Sequence, residues 1–314
     1  MSHHDHLGMG DGAEFDAIRR LLELWGTAAH GIGDDAAIVD IPAGERLVVS
    51  TDASVENVHF RREWLTAEEI GARATTAALS DLAAMAATPR GLLLALALPE
   101  SWRGGLDALA RGVGRVASAA ECPIVGGNIT RATELSLTLT VLGSAVRPLE
   151  RSGAVDGDDI YVTGKLGGPG AALRSWLVGE IPTPEHRARF ASPTPRLRES
   201  RWLAAHGAHA AIDISDGLLG DAAHLARASR VSITFDDDAI PCIDGASLSE
   251  ACVSGEEYEL LVAMPRDASV DVAAFEREFG LPLTHIGSVV ASASGTVRFL
   301  TGFMPSTVGH DHLT

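Results

Sequence analysis

The sequence predicts an α/β (α+β) protein of two αβ-sandwich domains. Three observations carry that expectation. The chain has 314 residues, and at about 150 residues per domain this length suits two domains. Hydrophobic residues make up 46% and charged residues 21%, which is enough apolar surface to build a core and too much for a disordered chain. Strand-like and helix-like segments alternate in both halves, and the order restarts near residue 150. The expected boundary lies at 147–150, giving domains 1–148 and 149–314.

In the first half, residues 14–25 repeat apolar side chains at helical spacing. A Gly31-Ile-Gly-Asp-Asp35 turn follows, and Leu47-Val48-Val49 reads as a strand ending at Ser50-Thr51-Asp52. Thr66 and Glu69 have capping-box spacing and open an Ala-rich helix running to about Ala87. Pro89 and Gly91 are expected to end it. Gly91–Leu98 is apolar throughout and reads as a buried strand, followed by a helix over 104–120, Gly126-Gly127, and an alternating strand over 135–142.

In the second half, Asp159–Thr163 reads as a strand, then come a Gly-rich loop at 164–170, a helix, and a turn at Pro193-Thr194-Pro195. A short strand at 210–214 runs into Ser215-Asp216-Gly217 and a helix to about Ser229. Strands are expected at 231–236, 258–264, 284–290 and 295–300, with a helix near 270–279.

Charge narrows the function. Lys and Arg number 25 against 42 Asp and Glu, a net charge of −17. The chain shows no basic stripe of the kind that marks a nucleic-acid binder. An acidic protein that takes an anionic substrate needs a cation as a bridge, and Lys165 is the only lysine. No run of 18 apolar residues predicts a membrane span, and the His- and Asp-rich start lacks the apolar stretch of a signal peptide. Cys122, Cys242 and Cys252 form no CxxC, which suits a reduced, cytoplasmic protein.

A subset of the acids is set apart from the scattered surface charge. Asp34-Asp35 lies in a glycine turn, Asp52 beside a strand, Asp81 inside an Ala-Leu-Met helix, and Asp213 and Asp216 flank Ser215 where a strand meets a helix. A carboxylate among apolar neighbours calls for a cation or hydrogen bonds. Hard oxygen donors from separate segments, without clustered His or Cys, suit magnesium, and magnesium with glycine turns points to phosphate chemistry. The Walker pattern is absent; Gly164-Lys165-Leu166-Gly167 does not match it.

Seven motifs occur in one order: Gly31-Ile-Gly-Asp-Asp-Ala-Ala37, Ser50-Thr-Asp-Ala-Ser-Val-Glu-Asn-Val-His-Phe60, Leu79-Ser-Asp-Leu-Ala-Ala-Met85, Gly126-Gly-Asn128, Arg151-Ser-Gly-Ala154, Asp213-Ile-Ser-Asp-Gly-Leu218 and Gly255-Glu-Glu-Tyr-Glu-Leu260. Together they resemble the thiamine-monophosphate kinases, within the aminoimidazole ribonucleotide synthetase-like ATP-binding superfamily. The resemblance implies a cytoplasmic homodimer whose N-terminal sheets join in a barrel. It also implies transfer of the γ-phosphate of ATP to thiamine monophosphate with several Mg²⁺ ions. By motif position, it implies magnesium ligands at Asp35, Asp52, Asp81, Asn128, Asp213 and Asp216, with Ser50 and Thr51 helping. It implies ATP contacts at Gly127, Asn128, Arg151 and Ser215, and thiamine-side contacts at His59, Glu256 and His310. The acceptor is already a phosphate oxygen, so neither a covalent nucleophile nor a strong general base is expected.

The chain departs from the family pattern at Asn128, where Asp is usual, and at Ala78, Ala86, Ser254, Glu257, His310 and Leu313. Asn128 keeps an oxygen donor but loses a charge. Two alternatives stand beside the kinase reading: a superfamily relative that phosphorylates another small molecule, and a non-catalytic nucleotide-binding dimer.

Overall fold

In the computed structural model of the chain, residues 12–266, 270–292 and 294–303 are described. The chain divides into two units, Met1–Leu82 with Ala87–Arg147, and Ala83–Ala86 with Pro148–Thr314.

The first unit contains α1 (Ala13–Trp25), β1 (Arg46–Val55), α2 (Ala67–Ala84), β2 (Thr88–Leu98), α3 (Leu106–Ala119), β3 (Ile124–Arg131) and β4 (Ser136–Ala145), with the last residues of α2 falling in the second unit. The Thr66–Glu69 box forms as its spacing predicts. The Thr66 N–H donates to Glu69 Oε2 at 2.8 Å, and the Glu69 N–H donates to Thr66 Oγ1 at 3.2 Å. The helix stops at Ala84, earlier than expected, because Ala86 takes a left-handed conformation (φ 51) and the strand is already under way at Thr88. A register shift between Pro89 and Gly91 lets β2 carry its proline.

The sheet order is β1-β4-β2-β3, with β1 and β2 antiparallel to β4 and β3 parallel to β2. One face is apolar and buried: Val48, Leu92, Leu94, Leu96, Leu137, Leu139 and Val141 are each under a tenth exposed. The other face is open, with Leu47 52% and Val49 54% exposed on β1. One feature differs from the expectation. The strand does not end at Ser50-Thr51-Asp52; β1 runs through these residues, paired to Val141, Thr140 and Leu139. Gly126 and Gly127 lie in the middle of β3. There a Cβ on Gly127 would sit 2.0 Å from the Leu94 carbonyl oxygen, so the two strands meet only because that side chain is absent.

The second unit contains β5 (Asp159–Thr163), α4 (Gly168–Leu177), α5 (Pro184–Ala191), α6 (Leu197–Ala205), β6 (Ala210–Asp213), α7 (Leu218–Ser229), β7 (Val231–Phe235), α8 (Leu248–Val253), β8 (Leu260–Met264), α9 (Val272–Phe279), β9 (Leu283–Ala291) and β10 (Val297–Phe299). The six-stranded sheet has the order β10-β7-β9-β5-β8-β6. All its pairs are antiparallel except β10 with β7. Every residue of β6, β7 and β8 is buried, the pattern of strands covered on both faces. Short α8 escaped the hydrophobic-periodicity reading, although its Ser247–Glu250 capping box is complete.

Candidate active site

Each unit carries its own group of candidate side chains. In the first unit, β1 and α2 bring Ser50 and Asp81 together across 31 positions: the Ser50 hydroxyl donates to Asp81 Oδ2 at 2.5 Å. Asp52 follows Ser50 on the same strand face, since side chains alternate along a strand. Thr51 therefore points the opposite way, where its hydroxyl lies 3.0 Å from Thr140 Oγ1. Asp35 lies in an exposed turn, its own N–H donating to Asp34 Oδ1 at 2.9 Å, so Asp34 caps the turn.

Register places the remaining first-unit residues. Asp52, Leu139, Leu94 and Gly127 form one row across the sheet, and Ala53, Thr138, Ala95 and Asn128 form the next. Asn128 thus faces the open side, three strands from β1, or about 14 Å at the usual strand spacing. Within one chain it does not join the Ser50–Asp81 pair. His59 accepts the Val55 N–H on Nδ1 at 3.1 Å, which leaves the ring proton on Nε2.

In the second unit, β6 delivers Asp213 buried at 3% exposure, with Ser215 and Asp216 half-buried just beyond. The chain then turns at Gly217 (φ 114), where a Cβ would meet the Val253 backbone at 2.9 Å. The segment carrying Glu256 docks directly on this loop. The Glu256 N–H donates to the Ser215 carbonyl at 2.8 Å, and the Tyr258 N–H to that of Ile214 at 2.9 Å. Tyr258 in turn donates its hydroxyl to Glu256 Oε2 at 2.5 Å. Glu256 and Tyr258 both have positive φ, 70 and 52, a concentration of backbone strain typical of functional segments. Asp213, Ser215, Asp216 and Glu256 are therefore brought together. Arg151 is exposed, and its carbonyl accepts the Ser229 hydroxyl at 2.6 Å. His310 lies outside the described residues.

Two supporting elements were missed by sequence reasoning. Asp221, 2% exposed, accepts the N–H groups of Ser215, Asp216 and Gly217 on one oxygen at 3.0, 3.0 and 3.1 Å. Burial, then the charges of Asp213 and Asp216, push its carboxyl up to about 8, while the Asp216 and Ser215 N–H bonds favour the charged form. An acid in the first turns of a helix just after a candidate loop was the signal available. The second element is a buried charge cluster behind Glu256. Glu259 binds Arg196 through two bonds of 2.8 and 2.6 Å and accepts the Thr163 hydroxyl at 2.6 Å. Glu257 accepts the Gly167 N–H at 2.5 Å, and burial pushes its carboxyl up to about 8 against the pull of Arg189.

The donors in both groups are hard oxygens, the chemistry magnesium takes. Among the described residues no three acids, histidines or cysteines converge on one point. Burial pushes Cys122 and Cys252 up to about 12, so both stay thiols at neutral pH. An open cavity of about 400 Å³ lined by His30, Glu121 and Cys122, among others, contains none of the candidate residues.

Residues 33–145 match the N-terminal domain of the AIR synthase related proteins, and residues 155–299 match their C-terminal domain. The thiamine-monophosphate kinase of Salmonella typhimurium is 37% identical over 302 residues, covering 90% of this chain and 91% of that protein. The chain belongs to the thiamine-monophosphate kinase family. Solved structures agree with this membership. The Stenotrophomonas maltophilia thiamine-monophosphate kinase superposes with a TM-score of 0.81 at 35% identity, over 94% of this chain and 98% of that one. AaThiL complexed with AMPPCP and TMP superposes with a TM-score of 0.77 at 29% identity, over 95% of each chain. Among the described residues no helix is long and apolar enough to cross a membrane.

Proposed function

We propose that this chain transfers the γ-phosphate of ATP to thiamine monophosphate, giving thiamine diphosphate and ADP. The observation that carries this reading is full-length likeness: a named thiamine-monophosphate kinase matches 90% of the chain, and a relative holding AMPPCP and TMP superposes over 95% of it.

Asp52 and Asp81, with Ser50 orienting Asp81, would hold Mg²⁺ from the first unit, joined by Asp35 in its exposed turn. Asp213 and Asp216 would do so from the second unit. Bound there, Mg²⁺ neutralises the repulsion between two anionic phosphates and favours in-line transfer. Gly127, Asn128, Arg151 and Ser215 are assigned to the nucleotide, and His59, Glu256 and His310 to the thiamine side. The Val55 N–H bond to Nδ1 fixes the His59 ring beside the end of β1. The Thr51 hydroxyl faces away from the Ser50–Asp81 pair, so any ligand role falls to its main chain. The acceptor phosphate needs no deprotonation at neutral pH, so these residues position and neutralise.

The first unit is assigned ATP/Mg binding and dimerisation. The open apolar face around Leu47 and Val49 supports a homodimer, and sedimentation of the purified chain tests it. The absence of CxxC pairs supports a cytoplasmic location. The deciding experiment mixes the protein with ATP, Mg²⁺ and thiamine monophosphate and separates the products by chromatography. Thiamine diphosphate formed from the monophosphate, but not from free thiamine and not without metal, is the expected result. ATP binding without that product overturns the assignment in favour of another acceptor or of a non-catalytic nucleotide-binding relative.

A further inference from the structure

Asp221 has no part in the transfer as assigned above, yet it organises the loop on which that assignment leans. Three successive N–H groups, from Ser215, Asp216 and Gly217, converge on its Oδ2 at 3.0, 3.0 and 3.1 Å. Successive N–H groups ahead of a helix form an anion-binding nest, the place where a phosphate-binding loop receives its phosphate. Here the protein's own carboxylate fills the nest. The carbonyls of the same loop are also committed, Ser215 to the Glu256 N–H at 2.8 Å and Ile214 to the Tyr258 N–H at 2.9 Å. A loop whose N–H groups are occupied by an internal carboxyl meets a ligand through its side chains, the Ser215 hydroxyl and the carboxylates of Asp213 and Asp216, rather than through backbone N–H groups.

We infer that Asp221 is a positioning residue: by occupying the nest it fixes residues 215–217 so that Asp213 and Asp216 face a divalent cation, and it closes the loop backbone to direct phosphate contact. This rests on the proposed magnesium role of Asp213 and Asp216. A residue that merely stabilised the fold would leave metal binding unchanged.

The test is Mn²⁺ binding to the purified full chain in the presence of AMPPCP, followed by electron paramagnetic resonance, with melting temperature recorded alongside. Asp221→Asn keeps the shape and one acceptor oxygen but puts an NH2 group where the second carboxyl oxygen stands. Asp221→Glu keeps the charge but displaces the oxygen by one methylene. Both are expected to weaken Mn²⁺ binding, by about tenfold as is usual for partners behind a metal ligand, and to raise the Mg²⁺ needed for half-maximal turnover by a similar factor. Wild-type binding in Asp221→Asn overturns the inference, whatever its melting temperature. Weak binding in Asp221→Asn with wild-type binding in Asp221→Glu also overturns it, because charge rather than position would then be the cause. Asp216→Ala is the control: if it binds Mn²⁺ as the wild type does, the magnesium reading itself fails. If it loses the metal while both Asp221 variants keep it, only the positioning role fails.

Discussion

The two groups of candidate carboxylates are built by different means. Ser50 and Asp81 lie on a strand and a helix, 31 positions apart, and meet only because α2 covers the face of β1 that carries Ser50. Asp213 and Asp216 lie on one strand-to-helix turn, held by local N–H bonds to Asp221 and by the docked segment at 256–258. The first arrangement depends on packing across the unit. The second is set by backbone hydrogen bonds within about a dozen positions of chain plus one added segment. A group built by packing tolerates loss of a hydrogen bond better than a turn held by three, because neighbouring atoms still confine the side chain.

Direct removal of a ligand should make the two groups look alike. Asp81→Ala and Asp216→Ala are each expected to lower kcat by more than the roughly hundredfold that a supporting partner costs, with circular dichroism and sedimentation unchanged. Full activity in either variant removes that group from the metal assignment. Loss of a support should separate them. Ser50→Ala deletes the hydroxyl partner of Asp81 and should raise the Mg²⁺ requirement by about tenfold or less, with Asp221→Asn expected to have the larger effect. The reverse order would mean that packing does not hold Asp81 in place.

Acidity offers a third contrast. Burial raises Glu257 from 4.5 to about 8, so the folded state holds a proton that the unfolded state has already released. Its contribution to stability is therefore greatest below about pH 4.5 and is lost as pH rises through about 8. Chemical denaturation of Glu257→Gln should show a flatter stability profile over that window than the wild type. An unchanged slope would show that Glu257 stays ionised in the fold, paired with Arg189. The smallest effect is expected at Asn128, which stands about 14 Å from β1 in its own chain. Asn128→Asp should lower the Mg²⁺ requirement by a modest factor. An unchanged curve would take Asn128 out of the ligand set.

Much of this was legible in the residues themselves. Capping at Thr66 and Glu69, the Ala-rich α2 and the restart near residue 150 all follow from side-chain size, charge and period, whereas β2, an apolar run that reads as wholly buried, is covered on one face only and leaves Ala95 exposed on the other. The hard oxygen donors without clustered His or Cys are what the sequence offers toward the proposed magnesium role. Other features were hidden because nothing local encodes them. Nothing local shows that Gly127 lies within β3, where the Leu94 carbonyl takes the space a Cβ would fill. Ser50, Thr51 and Asp52 read as a loop at a strand end, yet pairing with Leu139, Thr140 and Val141 extends β1 through them and sends Thr51 to the other face.

The sequence alone determined the family and most of the element types, because these depend on residue identity and spacing along the chain. Only the tertiary structure decided which carboxylate meets which partner. It joined Ser50 to Asp81, moved Asn128 to the far edge of the sheet, and seated Asp221 beneath the Asp213–Asp216 turn. Those outcomes are set by strand order, register and the close approach of backbones, quantities that exist only once distant segments have packed.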